Sequence, residues 1–379
     1  MFEEYIDGTI GELERRALVL RAKIPRNLPT YYATLVKSCN ERLEELLYVL
    51  RSLRDDEEWQ DEKLRAERTR RLRRIVTRLD WLESGGITAL CRANDDDHYF
   101  NSLLQRLRKE IRYPGELPTV SSMSQRYFCV DPDLNLMNVP LAERHFLLHL
   151  PDLYHELAHP LLVARDDPVI KPLQDRLLDS AAVAMEHFHK LSCEMEGGRA
   201  PREERVRLRA WEFNWGKYWI FEFYCDLFAV YTLGPAFAWS HVHLTAKRGA
   251  NPYDYMMEQH PADAARMSVL LISLRQIGYG EEAEAIAKVW RAVIGSSSYK
   301  PPSDFRTCYP LHVLDEIARQ SLEGVKGIGC RIAHTKCVDE IHTVLNEAWQ
   351  RFWDNPKGYA AWEEMRTKEL GRHEDVGGS

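Results

Sequence analysis

Residues 218–239 are nearly all apolar, yet they contain two carboxylates, Glu222 and Asp226, before Gly234-Pro235 ends the run. A stretch of this length has to be tested as a bilayer span. Each carboxylate at the bilayer centre would cost roughly 2.5–3.5 kcal/mol, which argues against a span. A helix apolar on every side is then one buried in a large core. Two carboxylates inside such a helix need partners, because buried charges are paired or bind metal.

The rest of the chain can supply that core. Its 379 residues are 45% hydrophobic and 29% charged, which excludes wholesale disorder and allows two or three cores. Lys+Arg 51 against Asp+Glu 58 gives −7, so general nucleic-acid binding is not expected. The eight cysteines are widely and irregularly spaced and form no C-x-x-C pair. They read as reduced thiols of a cytoplasmic protein rather than as a disulfide framework. The start, MFEEYIDGTIGELERR, lacks the apolar core of a signal peptide.

Residues 30–84 contain no Gly or Pro. Leu43, Leu46, Leu47, Leu50 and Leu53 recur at helical spacing, as do Leu72, Ile75, Val76 and Leu79. With the acidic stretch Asp55-Asp56-Glu57-Glu58 between them, the pattern predicts two antiparallel helices, one long helix being the alternative. A shorter helix over residues 10–23 should stop at Pro25. The arginines at 65, 68, 70, 71, 73, 74 and 78 read first as a solvated helix face paired with acidic neighbours, and second as a face for a protein partner. Residues 116–140 change character. Pro118-Thr119-Val120 and residues 127–130 have strand composition, Asp131-Pro132-Asp133 signals a turn, and residues 134–139 alternate with period two. Helical patterns resume after Pro140, broken at Gly197-Gly198 and Pro201. Residues 296–303 (SSSYKPPS) read as a linker, with further helices from Leu311 to about residue 371.

The chemistry lies in His155-Glu156-Leu157-Ala158-His159, an H-E-x-x-H sequence. On a helix the two histidines share one face, one turn apart, which suits two imidazoles on one Zn²⁺. Glu156 beside them is a candidate general base. Pro151 and Asp152 suit a helix start, while Pro160 should end or kink the helix. Glu222 and Asp226 form E-x-x-x-D on the apolar segment. Glu222 is the candidate third ligand, and Asp226 the acceptor for a ligand histidine's other N–H. Glu212 is a rival third ligand in a more polar setting. His241 and His243, after the Gly234-Pro235 break, are candidates to stabilise an oxyanion, as are His260, Tyr224 and Tyr231. Arg266 is a candidate to orient the site through a carboxylate. His187 and His189, two apart, point to different faces and are not expected to act as co-ligands.

With these residues in view, the chain resembles the gluzincin metallopeptidases, most of all the CAAX-prenyl-protease and heat-shock-protease-type families. The resemblance rests on His155 to His159, then Glu222 to Asp226 with Leu227-Phe228-Ala229, then His260-Pro261-Ala262-Asp263-Ala264-Ala265-Arg266-Met267. It covers roughly residues 145–270, and the membrane segments of those families are absent. It implies a mostly α chain with a zincin-like catalytic core and a small β-hairpin or short sheet. The expected divisions are a helical module over 1–115, the core over 116–295 and a helical region over 304–379. The expected activity is Zn²⁺-dependent hydrolysis of a peptide or protein substrate, with no membrane or nucleic-acid partner and a protein partner on the N-terminal helices as an option. In zincin folds an edge strand beside the metal helix binds extended peptide, and residues 134–139 are the candidate. The alternatives are a non-catalytic helical interaction protein with a structural metal or none, and a peptidase held latent.

Overall fold

A computed structural model of the chain describes residues 2–124, 127–196, 201–255, 259–336 and 339–372. They are mostly helical, with one small sheet. Contacts divide the chain into two units, Met1–Asn101 with Pro118–Leu141, and Ser102–Leu117 with Ala142–Ser379. Among the described residues no helix is long and apolar enough to cross a membrane. No disulfide forms among them either, and Cys337 and Gly197-Gly198 lie outside them.

In the first unit the helices are α1 (Phe2–Lys23), α2 (Ala33–Asp55), α3 (Arg65–Leu82) and α4 (Thr88–Cys91). Helix α5 (Asp95–Ile111) gives residues 95–101 to this unit and 102–111 to the other. The leucine stripes are the reason these helices pack. Leu43, Leu46, Leu47, Leu50 and Leu53 of α2 are buried, as are Leu72, Ile75 and Leu79 of α3. Each such side chain removes apolar surface worth about 1.5–3 kcal/mol. The acidic stretch at 55–58 falls where α2 ends, and short 3-10 turns at Glu57–Gln60 and Glu62–Leu64 reverse the chain. Arg68 Nε donates to the Leu53 carbonyl and Arg78 pairs with Glu45, so α2 and α3 run antiparallel. Several arginines of α3 do pair with acidic neighbours: Arg65 with Glu62, and Arg70 and Arg71 with Glu67. Arg68 departs from the solvated face: it is buried and bonded to Asp7.

The sheet of this unit has strands β1 (Thr119–Ser124), β2 (Cys129–Asp131) and β3 (Leu136–Pro140) in the order β1-β3-β2. The expected hairpin is β2–β3, antiparallel, with Val130 opposite Met137. Its turn is held by the Asp131 carboxylate, which accepts from Leu134 N–H and from Trp81 Nε1. β1 adds in parallel on the far side of β3, with Val120 opposite Met137. The proposal of residues 134–139 as a peptide-binding edge is therefore corrected: β3 is the central strand, and its main chain is occupied on both sides.

The second unit carries α6 (Asp152–Val163), α7 (Lys171–Glu196), α8 (Arg202–Asn214), α9 (Ile220–Leu233), α10 (Pro235–Arg248), α11 (Asp263–Gln276), α12 (Gly280–Gly295), α13 (Phe305–Cys308), α14 (Leu311–Gly327), α15 (Glu340–Asp354) and α16 (Pro356–Arg372). The apolar segment splits as its sequence requires. A π-helical turn at Trp215–Trp219 precedes α9, and α10 starts at Pro235. Gly234 makes the break at φ +84 and ψ −146, a conformation that side chains larger than hydrogen rarely adopt. Helix α9 is the centre of the unit, buried on nearly all faces and packed against α6, α7, α10, α11 and α14. No helix spans residues 296–303, where the linker was expected.

Candidate metal centre

Helices α6 and α9 bring the two motifs together. His155, Glu156 and His159 lie on α6, and Glu222, Cys225 and Asp226 on α9. Spacings of three and four residues put each set on one face of its helix. Helix α6 does not stop at Pro160 but runs to Val163. A proline inside a helix has no N–H for the carbonyl four residues back, here that of Glu156. At the next carbonyl along, that of Leu157, the buried Tyr113 hydroxyl donates at 2.9 Å. Gln174 Nε2 donates to the Leu161 and Ala164 carbonyls at 3.0 and 2.8 Å, which caps the end of the helix.

The His155 and His159 rings stand side by side, centroids 5.2 Å apart. Glu222 faces both: its Oε2 is 3.5 Å from His155 Nε2, and its Oε1 is 4.0 Å from His159 Nε2. Behind them is a second layer of bonds. His155 Nδ1 donates to Asp226 Oδ1 at 2.9 Å. Arg266, on α11, clasps Asp226 with Nε to Oδ2 at 2.7 Å and Nη2 to Oδ1 at 2.6 Å. Asp226 is fully buried, and the Arg266 charge and hydrogen bonds overcome burial to hold its carboxyl below the usual range. An ionised Asp226 only accepts, so His155 carries its proton on Nδ1 and directs Nε2 at Glu222.

The residues fit a zinc ion on this observation. The two Glu222 oxygens lie 3.5 Å from His155 Nε2 and 4.0 Å from His159 Nε2, against about 3.3 Å for donors bonded tetrahedrally at 2.0–2.1 Å. The charges are preset for a cation. Burial opposes charge on His155, but Asp226 and Glu222 overcome it and push its pKa up to about 10, so a cation has to displace that proton. Burial and the neighbouring His155 push His159 down to about 4, which leaves it a neutral donor. Burial also opposes charge on Glu222, yet His155 and His260 hold its carboxyl well below the ordinary range. Glu156 Oε2 lies 4.0 Å from His159 Nε2.

Among the candidates of lesser rank, His260 joins the site: its Nδ1 bonds Glu222 Oε2 at 3.0 Å. His241 is buried and reaches the Asp263 carbonyl at 3.1 Å, at the start of the helix that carries Arg266. His243 packs against Trp349 and Phe352 of the α15 region. The Tyr224 hydroxyl meets Ser180 and the Arg176 carbonyl, and the Tyr231 hydroxyl lies against Gln276 and the Ala318 carbonyl. Those bonds commit His243, Tyr224 and Tyr231 to helix packing. Glu212 is half-buried on α8. His187 bonds the Thr307 carbonyl, and His189 lies 3.7 Å from Cys193.

Sequence reasoning missed Cys225. A nitrogen of His155, a nitrogen of His159 and the Cys225 sulfur all lie within 4.8 Å of one another. Cys225 is fully buried, and burial together with Glu222, Glu156 and Asp226 pushes its thiol well up. The signal was present in its place on the face shared by Glu222 and Asp226. A cleft of about 1040 Å³ opens elsewhere in the unit, lined by Arg207, Trp211, Phe213, Asn251 and Tyr255 among others and by none of the metal-site residues. Comparison of the chain with protein-family models, with curated proteins and with solved structures returns no match.

Proposed function

We propose that the second unit is a zinc-dependent hydrolase of peptide bonds. The observation that carries the reading is the convergence of His155, His159 and Glu222, with Asp226 and Arg266 fixing the first histidine from behind. His155, His159 and Glu222 would hold the ion. Zn²⁺ bound there supplies Lewis acidity, which makes water more acidic and an amide carbonyl more electrophilic. Glu156 takes the proton of the attacking water and passes it to the departing amine nitrogen. Asp226 keeps the His155 ring in one tautomer and one orientation. Arg266 keeps Asp226 charged. His260, bonded to Glu222 and half-exposed, would donate to a developing oxyanion. This is a mostly helical zincin-like core in our reading, with the resemblance to gluzincins as its second support.

The test is metal content by plasma mass spectrometry on wild type, His155→Ala, Glu222→Ala and Glu156→Gln, with peptide-library hydrolysis alongside. About one zinc per chain is expected in wild type and in Glu156→Gln, and little in the two ligand variants. Glu156→Gln should be inactive. A folded wild-type protein that cannot be loaded with zinc would refute the proposal. The second reading, a helical interaction protein with a structural metal, draws on Cys225, whose sulfur lies within 4.8 Å of a nitrogen on each histidine.

A further inference from the structure

Cys225 carries an inference that rests on the metal reading above and concerns the control of that site. Glu222, Cys225 and Asp226 occupy positions i, i+3 and i+4 of α9 and so face α6 together. Glu222 addresses both histidines, and Asp226 holds His155 from behind. The sulfur between them in sequence is within 4.8 Å of a nitrogen on each histidine. Other thiols are also buried, namely Cys39, Cys308 and Cys330, and free cysteine commonly packs as a small hydrophobe. Cys225 differs from those three in its neighbours: it alone of the described cysteines belongs to a group of converging metal donors.

We propose that Cys225 is a fourth protein donor to the metal, so that the wild-type site rests with its tetrahedral positions filled and the hydrolase is latent. Structural zinc sites are closed by four protein ligands, and catalytic ones keep a position open. Glu222 lies outside that three-residue group but faces both histidines, so together the four side chains would offer the ion two nitrogens, one oxygen and one sulfur from two helices. Turnover then requires the thiol to leave the ion, and it is the one donor of the four that no hydrogen bond or ion pair ties to the others. A sulfur donor also sorts the occupant, since thiolate favours zinc over the hard ions manganese and magnesium.

The experiment is cobalt substitution of the full chain, followed by its absorption spectrum. Wild-type protein with one Co²⁺ per chain should show a thiolate-to-cobalt charge-transfer band in the near ultraviolet. Cys225→Ala should bind one Co²⁺ without that band, and its zinc form should turn over peptide faster than wild type. Should Cys225→Ala not fold, the wild-type spectrum together with Cys225→Ser decides: the serine variant should bind Co²⁺ without the sulfur band. A wild-type protein that binds one Co²⁺ with no thiolate band overturns this inference and leaves the hydrolase reading standing. A band that persists in Cys225→Ala or Cys225→Ser overturns it too. A wild-type protein that binds no Co²⁺ and no zinc overturns both.

Discussion

Asp226→Asn removes a charge from the most deeply buried polar position of the site. The substitution is nearly isosteric, so its effect isolates electrostatics. Asp226 accepts from Arg266 at 2.7 and 2.6 Å and from His155 at 2.9 Å, with no solvent exposure. An asparagine can turn its oxygen toward His155 Nδ1, but its NH₂ then meets Arg266 Nε, donor against donor. Breaking a buried ion pair from one side costs about 3–5 kcal/mol. Loosening the partner of a ligand histidine typically costs about 10–100-fold in metal affinity, or about 1.4–2.7 kcal/mol. Denaturant unfolding in the presence of a chelator reads the first quantity, and competition with a chromophoric chelator reads the second. Arg266→Met serves as the contrast. It should cost comparable stability but less zinc affinity, because Asp226 can still accept from His155. An Asp226→Asn protein with wild-type stability and wild-type zinc affinity would refute the claim that Arg266 and Asp226 organise this site.

His342 on α15 is buried with both ring nitrogens lacking a hydrogen-bond partner, and burial pushes its pKa down to about 4 from 6.5. The fold favours the neutral ring, so its stabilising contribution is complete above pH 6.5 and is lost as pH falls through 4. His342→Leu should match wild type within about 1 kcal/mol at pH 7 and gain on it by up to about 3 kcal/mol by pH 4, measured by urea unfolding; parallel pH profiles would contradict this. Tyr113→Phe removes a buried hydroxyl's bond to the Leu157 carbonyl of α6 and should cost about 0.5–1.5 kcal/mol, with weaker zinc binding; unchanged thermal unfolding would show that this bond does not support α6. Gly234→Ala places a side chain at φ +84, with its Cβ 3.3 Å from Tyr279 Cε2, and should destabilise by about 1–3 kcal/mol in calorimetry, whereas a neutral result would mean the α9–α10 break can relax.

The candidate site was legible because helical spacing fixes which residues share a face. H-E-x-x-H places His155 with His159, E-x-x-x-D places Glu222 with Asp226, and an apolar helix holding two acids advertised that they would be matched. Arg266 was legible only as a loose candidate, since nothing local says that α11 carries it to Asp226. The other histidines show the limit. His243 sits two residues from His241, yet it packs on Trp349 and Phe352. His260, on a segment without periodicity, is the one that reaches Glu222. Such pairings are set by how helices distant in sequence stack, which no window of residues records. The sheet shows the same limit in another form. Turn chemistry at 131–135 announces the β2–β3 hairpin, but the parallel partner β1 comes from beyond β2, where no turn signal can point to it. Pro160 was expected to end or kink α6, and the helix does not end there but runs on to Val163. Tyr113, 44 residues from Leu157, bonds that turn of the helix, a contact no local rule records.

Exposure gives the site a direction. The Asp226 side chain is 0% exposed, His155 10%, Glu222 12%, His159 22% and His260 52%, so the cluster is closed behind the first histidine and open along the last two. Bonds at the closed end operate in a low dielectric and are strong, which suits groups that hold one geometry. Among the described residues of this series, His159 and His260 are the most exposed, so the proposed hydrolase would admit a substrate carbonyl from their side. Glu222 links the two ends, because its carboxylate spans both ligand histidines and takes the His260 bond as well. Substitutions should therefore divide by position rather than by chemistry. Those at Asp226 and Arg266 act on metal retention and stability, and those at His260 act on turnover with the metal kept. Cys225, buried among the closed-end residues, belongs by position to metal retention. If it nevertheless governs turnover, the cause is an occupied coordination position, because its sulfur is too deeply buried to touch an approaching substrate.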